Sequence, residues 1–166
     1  MAKIYNFDAY SEGGPMYKVT VFDVAKVFLS MDTMTHKKLQ KLCYYAQAWH
    51  WALFGKELFL NDFQAWVHGP VCPELYSHYK VYGWNNIPRE LNLPSDIKDE
   101  TLEFIEEVYN TYHEFSGDEL ENLTHMEQPW REARKGLEDW QPSDRVIDTN
   151  LMRSYYNSVY EAAQND

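Results

Sequence analysis

Cysteine is scarce in this chain of 166 residues: Cys43 and Cys72 are its two, and they form no C-x-x-C pair. A secreted, disulfide-stapled scaffold or a four-cysteine zinc site would need more, so a reducing, cytoplasmic setting is expected. The opening stretch MAKIYNFDAY has no apolar core of the kind a signal peptide carries. No run approaches the 18 or so uncharged apolar residues that cross a bilayer, so no membrane partner is expected. Internal repeats and low-complexity tracts are absent. So are H-E-x-x-H, G-x-S-x-G, the phosphate-binding loop and the dinucleotide fingerprint, and neither catalysis nor a cofactor is expected.

Positive charge is also in short supply, and unevenly so. Residues 1–83 hold 8 Lys/Arg against 7 Asp/Glu, whereas residues 84–166 hold 7 against 19. An acidic half repels phosphate, which argues against direct nucleic-acid binding; it suits steering of a basic protein partner and, equally, a plain acidic coat on helices that keeps the protein soluble.

What the chain has in abundance is apolar and aromatic surface. Hydrophobic residues make up 45 %, and there are 13 Tyr, 8 Phe and 6 Trp. That composition is the opposite of disorder, and the length suits one domain with a real core. The expected fold is mainly α: a single compact helical domain over residues 1–166, built around a buried central helix, with at most a small β element. Residues 1–19, with a turn at Gly13-Gly14-Pro15, form an N-terminal extension, and residues 163–166 a frayed tail.

The central helix is expected over His36–Phe54. Leu39, Leu42, Ala46, Trp49 and Leu53 recur every three or four residues on one stripe, and Tyr44, Ala48 and Trp51 make a second face apolar. Thr35 caps its start and Gly55 stops it. Lys37, Lys38 and Lys41 are expected on a solvated face near its beginning. Further helices are read at Val21–Met31 behind Thr20 and at Glu74–Tyr82 behind Pro73. Another spans Asp99–Phe115, with Leu102, Ile105, Tyr109 and Tyr112 inward. Ser116 and Glu119 form a capping box for a helix ending near Leu123. A short helix follows Pro129, and a last one follows Asp148. A short extended piece is read around Phe63–Val67, and residues 84–98 as a loop.

Three segments resemble the Panacea-domain family: THKKLQKLCYYAQAWHWALFGKELF at residues 35–59, QAWVHGPVCPELY at 64–76 and ELENLTHMEQPWREAR at 119–134. Their order and spacing agree with the family over about 100 residues. The resemblance implies an antitoxin, phage- or mobile-element-borne, that neutralises a toxin encoded beside it by direct binding. One branch of the family instead delivers its toxin to a protease, which makes a protease the second implied partner. The Panacea-like region nearly fills the chain, so an added helix-turn-helix is not expected.

The motif residues Trp66, His68, Gly69, Pro70, Thr124, His125, Pro129 and Trp130 are the candidate partner-binding set. The Gly69-Pro70 turn and the 124–130 segment are expected to lie together, because short motifs rich in Trp and His need one another to fill space. An enzyme reading would use His68, His125 and Glu127 as acid–base groups and Cys72 as a nucleophile. The plainer reading has both histidines bonding backbone at tight turns. His68 and Cys72 supply two metal ligands where a structural site wants four, so no metal is expected. Trp49 reads as core, whereas Trp66 and Trp130 suit core and recognition patch equally.

Overall fold

The computed structural model describes residues 19–165. The Gly13-Gly14-Pro15 turn and residue 166 lie outside the described residues. The first helix, α1 (Val21–Met31), starts in a capping box between Thr20 and Asp23. It leads into α2 (His36–Phe54), whose first turn is closed by the Thr35 hydroxyl and whose last is stopped by Gly55 in the left-handed region. A hairpin of β1 (Gln64–Trp66) and β2 (Gly69–Val71) follows, pairing Gln64 with Val71 and Trp66 with Gly69. Pro73 then opens α3 (Pro73–Tyr79), continued by a 3-10 turn over Lys80–Tyr82. The second half holds α4 (Asp99–Tyr112), α5 (Gly117–His125), α6 (Gln128–Ala133) and α7 (Thr149–Gln164).

The architecture is mainly α with one two-stranded sheet among the described residues. Helix α2 runs through the middle and packs on α1, α3, α4, α5, α7 and β2. All twelve residues 39–50 are buried, which is what an apolar surface nearly all round requires. Its core neighbours include Val24 and Phe28 of α1, Phe104 and Val108 of α4, Leu120 of α5, and Met152 and Tyr156 of α7.

Two helix faces differ from the expected ones. On α4 the buried residues are Thr101, Phe104, Ile105, Val108 and Tyr112, while Leu102 and Tyr109 lie half-buried at the edges. The helix contacts both α1 and α2, which turns the 104–108–112 stripe inward. On α2 the expectation that Lys37, Lys38 and Lys41 share a solvated face is corrected at Lys41, which is 1 % exposed. The neighbouring residues Leu39, Gln40, Leu42 and Cys43 are buried too, so the turn that carries Lys41 has no free side.

Helix α5 begins at the expected capping box. The Ser116 hydroxyl accepts from the Glu119 amide at 3.1 Å, and the Glu119 carboxylate accepts from the Ser116 amide at 2.9 Å. Ser116→Ala is expected to cost about 1 kcal/mol, read as a lower urea midpoint with unchanged slope.

Candidate functional site

The hairpin is fixed to the helices from its inner side, residue by residue. Gln40 acts as a backbone mimic: its side-chain oxygen accepts from the Cys72 amide at 2.9 Å, and its nitrogen donates to the Cys72 carbonyl at 3.0 Å. One turn position further, the Lys41 amine donates to the Pro70 carbonyl at 3.2 Å. Gly69 crosses directly over that lysine with φ +107, and a Cβ there would stand 2.5 Å from Lys41 Cε and 3.1 Å from Thr124 Oγ1. Only glycine meets both demands at once. Burial pushes the Lys41 amine down to about 7, against the pull of Glu121 and with the push of Lys37.

The other edge of β1 is bonded to the chain that leads into α7. Ala65 donates its amide to the Arg145 carbonyl and Ile147 donates to the Phe63 carbonyl, both at 2.8 Å. Arg134, buried, ties the same region together without a carboxylate. Its Nη1 donates to Ala65 O at 3.0 Å, and its Nη2 to Gln141 O at 2.6 Å and Glu138 O at 3.0 Å. The guanidinium lies 5.1 Å from the Trp130 ring centre.

The 124–130 segment touches the hairpin turn directly. Trp130 is 5 % exposed and donates its indole N–H to Trp66 O at 2.9 Å. His125 stacks on Trp130 with ring centres 3.9 Å apart and bonds the Val67 backbone. His68 does something else: its Nδ1 meets Glu121 Oε2 at 3.0 Å on the surface. Lys37 donates to the other Glu121 oxygen at 2.6 Å and to Asp118 at 2.9 Å. Burial would raise the Glu121 carboxyl, but the Lys37 and His68 bonds outweigh it and hold the group below the usual range.

Of the eight candidate residues, Gly69, Pro70, Thr124, Pro129 and Trp130 are buried, and Trp66 and His125 are partly so. His68 is open, its side chain 67 % exposed. Strand alternation sends Ala65 into the core and Gln64 and Trp66 to the outer face, and the turn leaves His68 open beside them. There they line a groove of about 470 Å³ whose opposite wall is Pro142, Ser143 and Asp144. Inside it, the Trp66 indole N–H is taken by Gln64 Oε1 at 2.8 Å. The wall is unforeseen: nothing in Q-P-S-D beyond a turn marks it out in the sequence.

The groups of the enzyme reading are separated by their bonds. Glu127 Oε1 accepts from Tyr45 at 2.8 Å and Tyr156 at 2.7 Å, and Tyr156 also shares a 3.1 Å bond with Tyr44. Burial pushes the Glu127 carboxyl up to about 7, in spite of those two phenols. Cys72 sits 3.3 Å from Glu74 Oε1, and burial pushes its thiol up to about 12, far from a thiolate at neutral pH. Trp49, fully buried, donates to the Tyr112 hydroxyl at 2.8 Å in the same aromatic core. Among the described residues, no group of three or more His, Cys, Asp and Glu could hold a metal ion, and no helix is long and apolar enough to cross a membrane.

Comparison with curated proteins and with solved structures finds no match. A family model does match: that of the SocA-like antitoxins, the Panacea domain, over residues 39–131. The span takes in most of α2, the hairpin, α5 and the Pro129-Trp130 step. More than half of the sequence is covered, and the chain belongs to the SocA-like antitoxin family through its Panacea domain.

Proposed function

We propose that the protein is an antitoxin that neutralises a toxin, encoded next to it on a phage or mobile element, by binding it directly in the bacterial cytoplasm. The outer face of the hairpin is the contact surface. Trp66 and His68 meet the partner, and Gly69, Pro70, Thr124, His125, Pro129 and Trp130 hold them in position from behind.

The observation that carries this reading is the exposed aromatic and apolar surface beside the groove. Trp140 is 73 % exposed and Val146 52 % exposed, and both lie on the chain that forms the groove wall. An exposed tryptophan on the segment that leads into a groove wall suits the anchor of an interface. The buried bonds beneath, from Gln40, Lys41 and Arg134, make the face rigid before the partner arrives. Family membership supports the antitoxin role, and the acidic second half suits a basic partner, with charge acting mainly on the association rate.

The test is co-expression with the neighbouring reading frame. Growth is expected to be rescued, including in a host lacking the relevant protease, and the two proteins are expected to co-purify. Rescue that disappears with the protease would make the chain an adaptor. Rescue lost in His68→Ala or His125→Ala proteins that fold and still co-purify would point to catalysis.

A further inference from the structure

The groove between the hairpin and the Pro142–Asp144 wall has a chemistry narrower than its aromatic rim. Its polar lining mixes donors and acceptors, and its acidic group is a single carboxylate. Asp144 contributes an exposed carboxylate. The His68 Nδ1 faces the Glu121 carboxylate, which only accepts, so that nitrogen carries a proton and its bond is already made. The Trp66 indole N–H is already spent on Gln64, and the half-buried ring, set edge-to-face with Tyr76 at 5.0 Å, brings π surface and no donor to the groove. The Ser143 hydroxyl accepts from the Arg145 amide at 3.1 Å and keeps its own proton to donate.

Cations near the groove are turned away from it. Arg145, next to Asp144, points its Nη1 to Lys135 O at 2.9 Å and Ala133 O at 3.4 Å. Arg134 is buried on four carbonyls. Lys135 stands 3.8 Å from Glu132. Among the described residues, no lysine or arginine lines the groove. The groove, about 470 Å³, thus sets the Trp66 indole and the Asp144 carboxylate in one lining, with no lysine or arginine beside them among the described residues.

We infer that this groove takes an arginine side chain presented by the toxin, the guanidinium lying against Trp66 and donating to Asp144. The inference rests on the antitoxin reading above and names the partner chemistry of that same face. Guanidinium fits better than ammonium here because it is planar, stacks on an indole and donates in a fork to a carboxylate. Val67 on the hairpin side and Pro142 on the opposite wall give apolar lining that suits its methylene stem.

The probes are N-acetyl-arginine amide, N-acetyl-lysine amide and sodium chloride, each titrated into the full ¹⁵N-labelled chain. The Trp66 indole signal, assigned with Trp66→Phe, is expected to move and saturate with the arginine probe. The lysine probe should bind at least about five-fold more weakly, and salt alone should not reproduce the shift. Asp144→Asn should weaken arginine binding by about five- to ten-fold, whereas Asp99→Asn on α4 should leave it unchanged. Equal shifts with arginine and lysine, an Asp144→Asn protein that binds as before, or shifts spread over the acidic surface of α4 would overturn the inference.

The toxin arm separates this inference from the reading it rests on. With a neutralised toxin in hand, Asp144→Lys should weaken the complex at least about ten-fold. A complex of undiminished affinity overturns the groove assignment and leaves the antitoxin role standing. If the wild-type chain neutralises no neighbouring toxin, the antitoxin role fails, and the arginine titration still decides the groove.

Discussion

Gln47→Leu is expected to lower stability by about 3–6 kcal/mol, on the scale of the whole unfolding free energy of a small domain. Gln47 is 3 % exposed on α2 and holds the turn that leaves the helix. Its side-chain oxygen accepts from the Leu58 amide at 2.7 Å and the Phe59 amide at 3.3 Å, and its nitrogen donates to the Phe59 carbonyl at 2.7 Å. Leu58 and Phe59 are themselves buried. Leucine keeps the volume but strands three buried backbone groups, each worth about 1–3 kcal/mol when left unpaired. Urea unfolding of the two proteins at equal slope measures the difference. A loss below about 1 kcal/mol would mean that water replaces the side chain and that the 55–59 turn is not held from α2.

Lys41→Met is expected to change how stability depends on pH, by an amount on the order of 4 kcal/mol between neutral and strongly alkaline solution. The Lys41 amine falls from its ordinary 10.5 to about 7 in the folded chain. Between those two values the unfolded chain holds a proton that the folded one has shed, so stability rises with pH across that window. Below about 7 both states are charged and the folded state bears the full cost of a buried ammonium. Methionine fills the same space without the charge, at the cost of the Pro70 bond. The wild-type minus Lys41→Met difference should therefore be most unfavourable to wild type near pH 6 and shrink steadily towards pH 10.

Glu127 supplies the opposite slope. Its carboxyl rises from 4.5 to about 7, so the folded chain holds the extra proton and stability falls as pH climbs through that range. Glu127→Gln should flatten the acid side as Lys41→Met flattens the alkaline side. A wild-type minus Lys41→Met difference that is the same at pH 6 and pH 9.5 would show that the amine is solvated and not buried.

The helices were legible because their signals are local. Thr20, Thr35, Ser116 and Asp148 cap where expected, each with its side-chain oxygen on a backbone amide two or three residues on. Gly55 adopts the left-handed conformation that a C-terminal stop needs. The apolar surface of α2 announced its burial, since such a helix has nowhere else to go. Polar residues inside that surface were harder to place. Gln40 and Gln47 sit seven residues apart on an otherwise apolar helix, a signal that both reach into the protein to bond backbone. Lys41 gave no such warning, because a lysine beside two others reads as solvated until the Gly69-Pro70 turn is seen to close over it.

The candidate site was half legible. Motif residues drew attention to the hairpin and to the 124–130 segment, and those segments do meet, through Trp130 and Trp66. Sequence could not divide them into an outer face and an inner support, because that division depends on which side of a three-residue strand faces α2. Nor could it supply the opposite wall: Pro142, Ser143 and Asp144 are brought to the groove by the pairing of residues 145–147 with β1. Arg134 is a similar case, a basic residue that donates to carbonyls of the loop that follows it, Glu138, Asp139 and Gln141, and to the carbonyl of Ala65, which tertiary structure brings near.

The central claim is that this chain neutralises a toxin by occupying it. Titrating the purified protein into a fixed amount of the neighbouring toxin, with no protease present, and following residual toxin activity tests it most directly. The account predicts a linear fall to full inhibition at a fixed stoichiometric equivalence, shifted to higher protein in Asp144→Lys. Full inhibition well below one equivalent, or none at any ratio until a protease is added, would contradict it.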